Sequence, residues 1–124
     1  MSTLSVSNIT DGTDTVGTSY VVNGSAKAWV NFNQQSTMSI FGSFNISSLT
    51  DAGTGLTDIA LSSSMSNTGF ALAITRQDTV VNNDSTGFDG INNKTVSNFR
   101  FVSIENAVVS DTNNGHGIVH GDLA

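Results

Sequence analysis

Cysteine is absent from the 124 residues, and lysine and arginine together number only four. The lack of cysteine excludes disulfides, iron–sulfur clusters and cysteine-ligated zinc sites. Ten aspartate and glutamate residues outweigh the four cations, so the formal net charge is −6. Because nucleic-acid binding needs lysine and arginine to neutralise phosphates, this balance opposes a nucleic-acid partner.

Charge of either sign and long apolar runs are also scarce. Charged residues make up 11% of the chain, against about 25% in an average globular domain. No apolar run approaches the ~20 residues of a membrane-spanning helix, so membrane insertion is not expected. The opening "MSTLSVSNIT" has neither the basic region nor the apolar core of a signal peptide.

Serine, threonine, asparagine and glycine fill about half of the chain, and these residues favour turns and strands over helices. Apolar residues alternate with polar ones in several short segments separated by turn signals, and no segment of ten or more residues has helical periodicity. The pattern predicts an all-β, antiparallel domain of the β-sandwich or jelly-roll-like type. The predicted strands are 26–32, 38–47, 56–61, 69–76, 96–105 and 117–123.

Two regions differ in composition. Residues 1–22 are polar with sparse apolar positions, which predicts an extended N-terminal arm with short strands. Residues 23–124 carry the regular alternation and predict the compact β-sandwich domain.

Several predicted strands are apolar on both faces, although a two-sheet sandwich buries one face of each sheet in a monomer. We expect the second apolar set to be covered by further copies of the chain in an oligomer with closed symmetry. The assembly that we expect is a homotrimer. The alternative is irregular packing under loops. The residues expected to pack in the core or between subunits are Trp29, Phe32, Phe41, Phe44, Phe99 and Phe101.

Two motifs carry a family resemblance. "GSAKAWVNFN" (24–33) is followed by "SFNISSLTDAGTG" (43–55), and the chain ends with "SNFRFVSIENA" and "GIVHGDLA". In this order and spacing the segments closely resemble a module of tail-fibre proteins from tailed phages of marine and freshwater bacteria, including cyanophages. The resemblance covers residues 23–124. The matching positions are Lys27, Trp29, Asn31, Phe32, Ser43, Phe44, Asn45, Ser47, Ser48, Thr50, Asp51, Gly53, Thr54 and Gly55.

The resemblance implies a non-enzymatic structural protein of the virion: a tail-fibre component or knob that binds the host cell surface, attached to another virion protein through residues 1–22. A capsid decoration or head-fibre protein, docked through the same arm, remains the alternative. A polysaccharide depolymerase with paired aspartates is a third possibility, but the aspartates stand mostly in turn contexts. We therefore expect no catalytic residue and no cofactor.

His116 and His120 are the only histidines, and they share one face of the predicted C-terminal strand. Two histidines four apart on a strand are about 13 Å apart, which is too far to bind one metal ion together. On a three-fold axis each could meet its symmetry mates and bind a metal. The alternative is a pair of exposed histidines near a glycine-rich turn.

The polar loop 80–95 is the predicted region of receptor contact. It places the aromatic Phe88 near Asp89, Asn92 and Lys94. An aromatic ring beside amides and carboxylates suits a surface glycan, and a protein receptor is equally compatible. The alternative is a structural loop whose apolar residues pack on a neighbouring subunit.

Overall fold

The computed structural model describes residues 1–77, 85–88 and 93–124, with only the backbone of 85–88. The described residues form eleven strands and one short helix, α1, at Thr18–Gly24. This confirms the predicted all-β class. The strands are β1 Asn8–Thr10, β2 Thr15–Gly17, β3 Ala28–Asn33, β4 Ser39–Phe44, β5 Ile46–Gly53, β6 Leu56–Leu61, β7 Ala71–Arg76, β8 Ser85–Phe88, β9 Asn98–Glu105, β10 Val108–Val109 and β11 Gly115–His120.

Two antiparallel sheets form the body of the domain. The four-stranded sheet has the order β4-β3-β11-β7, and the five-stranded sheet has the order β10-β9-β6-β5, with β8 also paired to β9. In the four-stranded sheet the C-terminal strand β11 lies between β3 and β7. Strands far apart in the chain therefore become neighbours.

The core lies between the two sheets. Every second residue of β3, β6 and β9 is buried, as expected for strands with one face toward a core. Phe32 from the four-stranded sheet and Phe101 from the five-stranded sheet meet edge to face, with ring centroids 5.1 Å apart. The buried apolar cluster consists of Ala28, Val30, Phe32, Ile59, Leu61, Met65, Phe70, Phe99, Phe101 and Val119.

Gly115 on β11 makes room for this aromatic pair. A Cβ atom at Gly115 would lie 3.0 Å from the Phe32 ring and 3.1 Å from the Phe101 ring. Real Cβ contacts are rarely so short, so the rings pack directly against the backbone of β11. A glycine in a strand commonly marks such a close approach.

Buried polar side chains join the two sheets at one end of the core. Gln34 follows β3, and its Oε1 atom accepts the backbone N–H of Thr112 at 3.0 Å. Its Nε2 atom donates to Thr57 Oγ1 on β6 at 2.9 Å. Its own N–H donates to the Thr112 carbonyl at 2.9 Å. Gln34 therefore holds three segments in place while satisfying buried polar groups.

The strand pairings bear on two irregularities that the sequence predicts. Gly42 predicts a bulge or close backbone contact in the second strand, and the β3–β4 register shifts at Asn31/Phe32, opposite Gly42. In β9 the sequence predicts either a bulge or burial of both faces. The β6–β9 pairing has no register shift, and Val102 and Ile104 are half-buried on the side opposite Phe101.

The sequence predicts an extended N-terminal arm with short strands, and the structure forms two short strands there, pairs them and adds a helix. β1 and β2 form a hairpin whose turn is closed by Asp11, because its Oδ1 atom accepts the N–H groups of Thr13 and Asp14. α1 then spans Thr18–Gly24, past the predicted boundary at residue 22. The ammonium group of Lys27 stabilises the end of α1 by donating to the carbonyls of Val22 and Ser25, as cations do at helix C-termini.

Candidate functional site: an apolar sheet face and an amide-lined pocket

The outer face of the four-stranded sheet carries a row of apolar side chains. Phe44, Trp29, Ile118 and Ala73 are register partners across the four strands in that order. Phe44 is 56% exposed, Trp29 43% and Ile118 42%. We call these four residues the apolar row.

The ring of Trp29 lies over the backbone of β4. A Cβ atom at Gly42 would be 3.3 Å from Trp29 Cζ3 and 3.4 Å from Cη2. The absence of a side chain at Gly42 therefore leaves room for the six-membered ring of the indole against the neighbouring strand. Within one subunit the indole is still 43% exposed.

The rest of this face is neutral. A second row follows the register Gly42, Asn31, His116 and Thr75. No strand residue on the outer face is aspartate, glutamate, lysine or arginine. The strands of this face therefore contribute none of the carboxylates that give the chain its net charge of −6.

His116 and His120 lie on this same face, as the sequence predicts, with Ile118 between them. His116 is half-buried between Asn31 and Thr75, and His120 is exposed beside Ala71. Within the described part of the chain, no three histidine or carboxylate side chains cluster as a metal-binding group.

All four cations have partners inside the subunit. Arg100 binds both oxygens of Asp58, at 2.6 and 2.8 Å, and its hydrogen bonds lower the pKa of that carboxyl. Arg76 donates to the Ile104 carbonyl at 3.1 Å. Lys27 binds the end of α1 as described above. Lys27 and Arg100 are therefore both engaged by groups of the same chain.

Lys94, the fourth cation, contacts Phe70, the residue before β7. Its Nζ atom donates to the Phe70 carbonyl at 2.7 Å and lies 4.2 Å from the Phe70 ring centroid. This cation–π contact and hydrogen bond give Lys94 a structural role. Of the other predicted receptor contacts, Asp89 and Asn92 lie outside the described residues, and Phe88 is described only by its backbone, which pairs with Phe101.

Several aspartates accept backbone N–H groups at turns. Asp51 caps its own turn by accepting the N–H of Gly53 at 2.8 Å, and Asp11 closes the arm hairpin in the same way. Asp111 accepts the N–H of Gly55, from a distant segment, at 2.6 Å. These contacts agree with the structural role that the sequence context indicates for aspartate.

A pocket of about 640 Å³ opens at one end of the four-stranded sheet. Three segments converge there: the β3–β4 connection, the residue after β7, and the residues before β11. None of the described side chains in its wall is charged. We call it the amide pocket, and its lining consists of Asn33, Gln35, Ser36, Thr37, Phe41, Gln77, Asn113 and Asn114.

Sequence reasoning missed this pocket. Two amide-rich segments, "NFNQQST" and "TNNG", were the available signal, but they are far apart in the chain. Phe41, which the sequence assigned to packing, is 62% exposed and lines this pocket.

The hairpin of the arm also exposes apolar side chains. Ile9 and Val16 are register partners and are 46% and 40% exposed. They line a shallow depression of about 330 Å³ with Thr10, Asp11, Asp14 and Thr15. No described helix is long and apolar enough to cross a bilayer.

Comparison of the chain with protein-family models, with curated proteins and with solved structures gives no match.

Proposed function

We propose that this chain is a non-enzymatic structural protein of a tailed-phage virion, where it forms a homotrimeric β-sandwich knob of a tail fibre and binds the host cell surface. The resemblance of residues 23–124 to a tail-fibre module suggested this role. The exposed apolar row on the four-stranded sheet is the observation that carries the self-association on which the proposal rests.

The chemistry of the sheet face favours another copy of the chain as its occupant. A partner rich in cations would find no carboxylate there, and a nucleic acid would find no cation. A second neutral, apolar face of the same kind matches it without charge repulsion. Closed cyclic symmetry then covers the apolar row in every subunit equally.

The area of the sheet face is smaller than that of a stable interface. Four strands of six residues span about 20 Å by 20 Å, or about 400 Å² in projection. A stable interface buries about 800 Å² per partner. The sheet face supplies the apolar centre of the interface, and surfaces outside it, such as the arm, supply the rest.

In a trimeric knob, weak individual receptor sites suffice for firm attachment to a cell. Three sites on one axis, repeated on several fibres, raise the overall avidity without a tight single site. The absence of free cations fits a receptor that is not recognised through phosphate groups.

The test combines mass in solution with adhesion. Sedimentation equilibrium of the full chain should give three times the subunit mass of 12.9 kDa. Fluorescently labelled protein should adhere to cells within a panel of cyanobacteria and other marine and freshwater bacteria. A monomer at all concentrations refutes the trimer, and no adhesion to any strain at micromolar concentration refutes host binding.

A capsid decoration or head-fibre protein is the second candidate, and the arm favours it. The exposed Ile9–Val16 pair gives the hairpin an apolar side suited to docking on another virion protein. Antibody labelling of particles separates the candidates by location. Deleting residues 1–17 should abolish incorporation in either case, and it is preferable to deleting 1–22 because it keeps the Val22 carbonyl that binds Lys27.

The depolymerase remains the catalytic alternative and has its own assay. Incubation of host polysaccharide with the protein should release no new reducing ends. Release of such ends would replace the proposed adhesive role with a hydrolytic one.

A further inference from the structure

The amide pocket lies apart from the apolar row, at the end of the same sheet. Between Phe41 and the apolar row lies the second, neutral row that begins at Gly42. A subunit packed on the apolar row therefore leaves the Phe41 end of the sheet beyond the centre of the contact. The arm, which supplies the rest of the contact, adjoins the opposite end of the sheet, where Lys27 binds the end of α1, so the pocket is available as a second surface.

Its walls are held in position by buried hydrogen bonds. The reciprocal bonds between Gln34 and Thr112, at 2.9 and 3.0 Å, tie the β3–β4 connection to the residues before β11. The N–H of Gln77 donates to the Asn114 carbonyl at 2.9 Å, which ties in the third segment. Thr112 and Gln34 are 1% and 7% exposed. The pocket is thus largely preformed, which lowers the ordering cost of binding.

The polar groups of the pocket are amides with unused hydrogen-bonding capacity. Asn114 Nδ2 donates to Gln77 Oε1 at 2.8 Å. Among the described residues, no hydrogen-bond partner is found for the side-chain amides of Gln35 and Asn113 or for Gln77 Nε2. Amides present donors and acceptors side by side, the combination that a hydroxyl group needs because it both donates and accepts.

Phe41 adds an apolar wall to this polar pocket. Its side chain is 62% exposed and stands at the bulge opposite Asn31 and Phe32. An exposed aromatic ring costs free energy unless something apolar covers it. The C–H face of a pyranose is apolar while its rim carries hydroxyls, so it matches a ring beside amides.

The distribution of charge around the amide pocket disfavours acidic ligands. Among the residues that the structure describes, the pocket wall has no charged side chain, all four cations are engaged elsewhere, and the chain carries a net charge of −6. A carboxylate or phosphate ligand would be desolvated there without a cation to pair with it. The volume of about 640 Å³ lies within the range of small-ligand sites and holds one or two sugar rings.

We propose that the amide pocket binds a neutral saccharide, with Phe41 stacked on the apolar face of a pyranose and the side chains of Gln35, Gln77 and Asn113 hydrogen-bonded to its hydroxyls. This assignment rests on the proposed host-binding function and moves the receptor contact from loop 80–95 to the end of the four-stranded sheet.

Nuclear magnetic resonance of the ¹⁵N-labelled full chain tests the site directly. The probes are methyl glycosides of glucose, galactose, mannose and N-acetylglucosamine at millimolar concentration, with methyl glucuronide as the anionic comparison. At least one neutral glycoside should shift the side-chain amide signals of Gln35, Gln77 and Asn113, and methyl glucuronide should shift them less. No shift with any neutral glycoside, or shifts confined to the Trp29 indole, overturns the assignment.

Phe41→Ala is the main variant, and Val109→Ala is its matched control, since Val109 is 44% exposed on β10 of the other sheet. Loss of the stacked ring should weaken saccharide binding at least about fivefold, while the control should bind as the unmodified chain does. Equal binding by Phe41→Ala refutes the stacking role. Unchanged amide dispersion in its spectrum shows that the variant is folded.

Cell adhesion separates this inference from the proposed function. If the unmodified chain adheres to bacteria and Phe41→Ala adheres equally, the pocket assignment is wrong and host binding stands. If the unmodified chain does not adhere but binds a neutral glycoside through the pocket amides, the saccharide site stands and the host-binding role is wrong.

Discussion

Replacing Trp29 by serine should dissociate the proposed trimer without unfolding the subunit. The indole is 43% exposed in the single subunit. With about 250 Å² for a fully exposed aromatic side chain, about 110 Å² remains for a neighbour to cover. At about 25 cal/mol per Å², covering it contributes about 2–3 kcal/mol per subunit.

Three subunits lose this contribution together. Because the concentration at which a trimer is half dissociated varies as the square root of its dissociation constant, that concentration should rise by two to three orders of magnitude. Ile118→Thr should act in the same direction with a smaller effect, since Ile118 is a smaller side chain of similar exposure, 42%.

Sedimentation equilibrium across a thousandfold range of protein concentration measures the shift. Val108→Ser is the matched control, because Val108 is 64% exposed on β10, away from the apolar row. Far-ultraviolet circular dichroism checks that each variant stays folded. If Trp29→Ser and Val108→Ser associate alike, the apolar row is not the interface, however large the assembly.

Three further predictions concern the folded subunit. Arg100 lowers the pKa of Asp58 from its ordinary 3.8, so the ion pair stabilises the fold above that value and loses its contribution as the pH falls through the lowered pKa. Because the Asp58 side chain is 35% exposed, the unfolding free energy of Asp58→Asn should be only about 0.5 kcal/mol lower than that of the unmodified chain at neutral pH. The two values should converge in acid, and a difference that stays constant with pH contradicts the assignment. Gln34→Ala leaves buried groups of Thr57 and Thr112 unpaired and should lower the unfolding free energy, measured with urea, by about 2–4 kcal/mol. Gln35→Ala, at the exposed neighbouring position, should lower it by less than about 0.5 kcal/mol, and equal losses for the two variants would show that the Gln34 bonds do not stabilise the fold. Gly115→Ala should lower the unfolding free energy by about 1–3 kcal/mol because the new Cβ atom meets two phenylalanine rings. Gly24→Ala, with open space around it, should have little effect. A Gly115→Ala variant as stable as the unmodified chain would mean that the rings shift freely.

Local patterns predicted much of the body. Alternation with a period of two identifies which side chains of β3 and β7 share a face, because neighbouring side chains on a strand point to opposite sides. Turn residues mark the β5–β6 hairpin, where Gly53 and Gly55 have φ of 126° and 71°, conformations that glycine adopts without strain. The all-β class follows from these two signals.

Other features could not be predicted from the alternation of apolar and polar residues. Helix α1 is shorter than the length at which periodicity is informative, and its end is held by Lys27 from the following strand segment. The partner of Lys94 was also not predictable, because Phe70, distant in sequence, supplies its hydrogen-bond acceptor and its aromatic partner. For Lys94 the deciding partner lies in a different segment.

By itself the sequence determined the β class, the scarcity of cations and the surplus of apolar strand faces, because composition and alternation are properties of each segment alone. Only the tertiary structure decided that β11 enters between β3 and β7, and hence that Phe44, Trp29, Ile118 and Ala73 form one row. It also decided that Gln77 and Asn114 meet beside Phe41. A period of two specifies which face a residue occupies but not which strand lies beside it, and that choice depends on packing across the whole core.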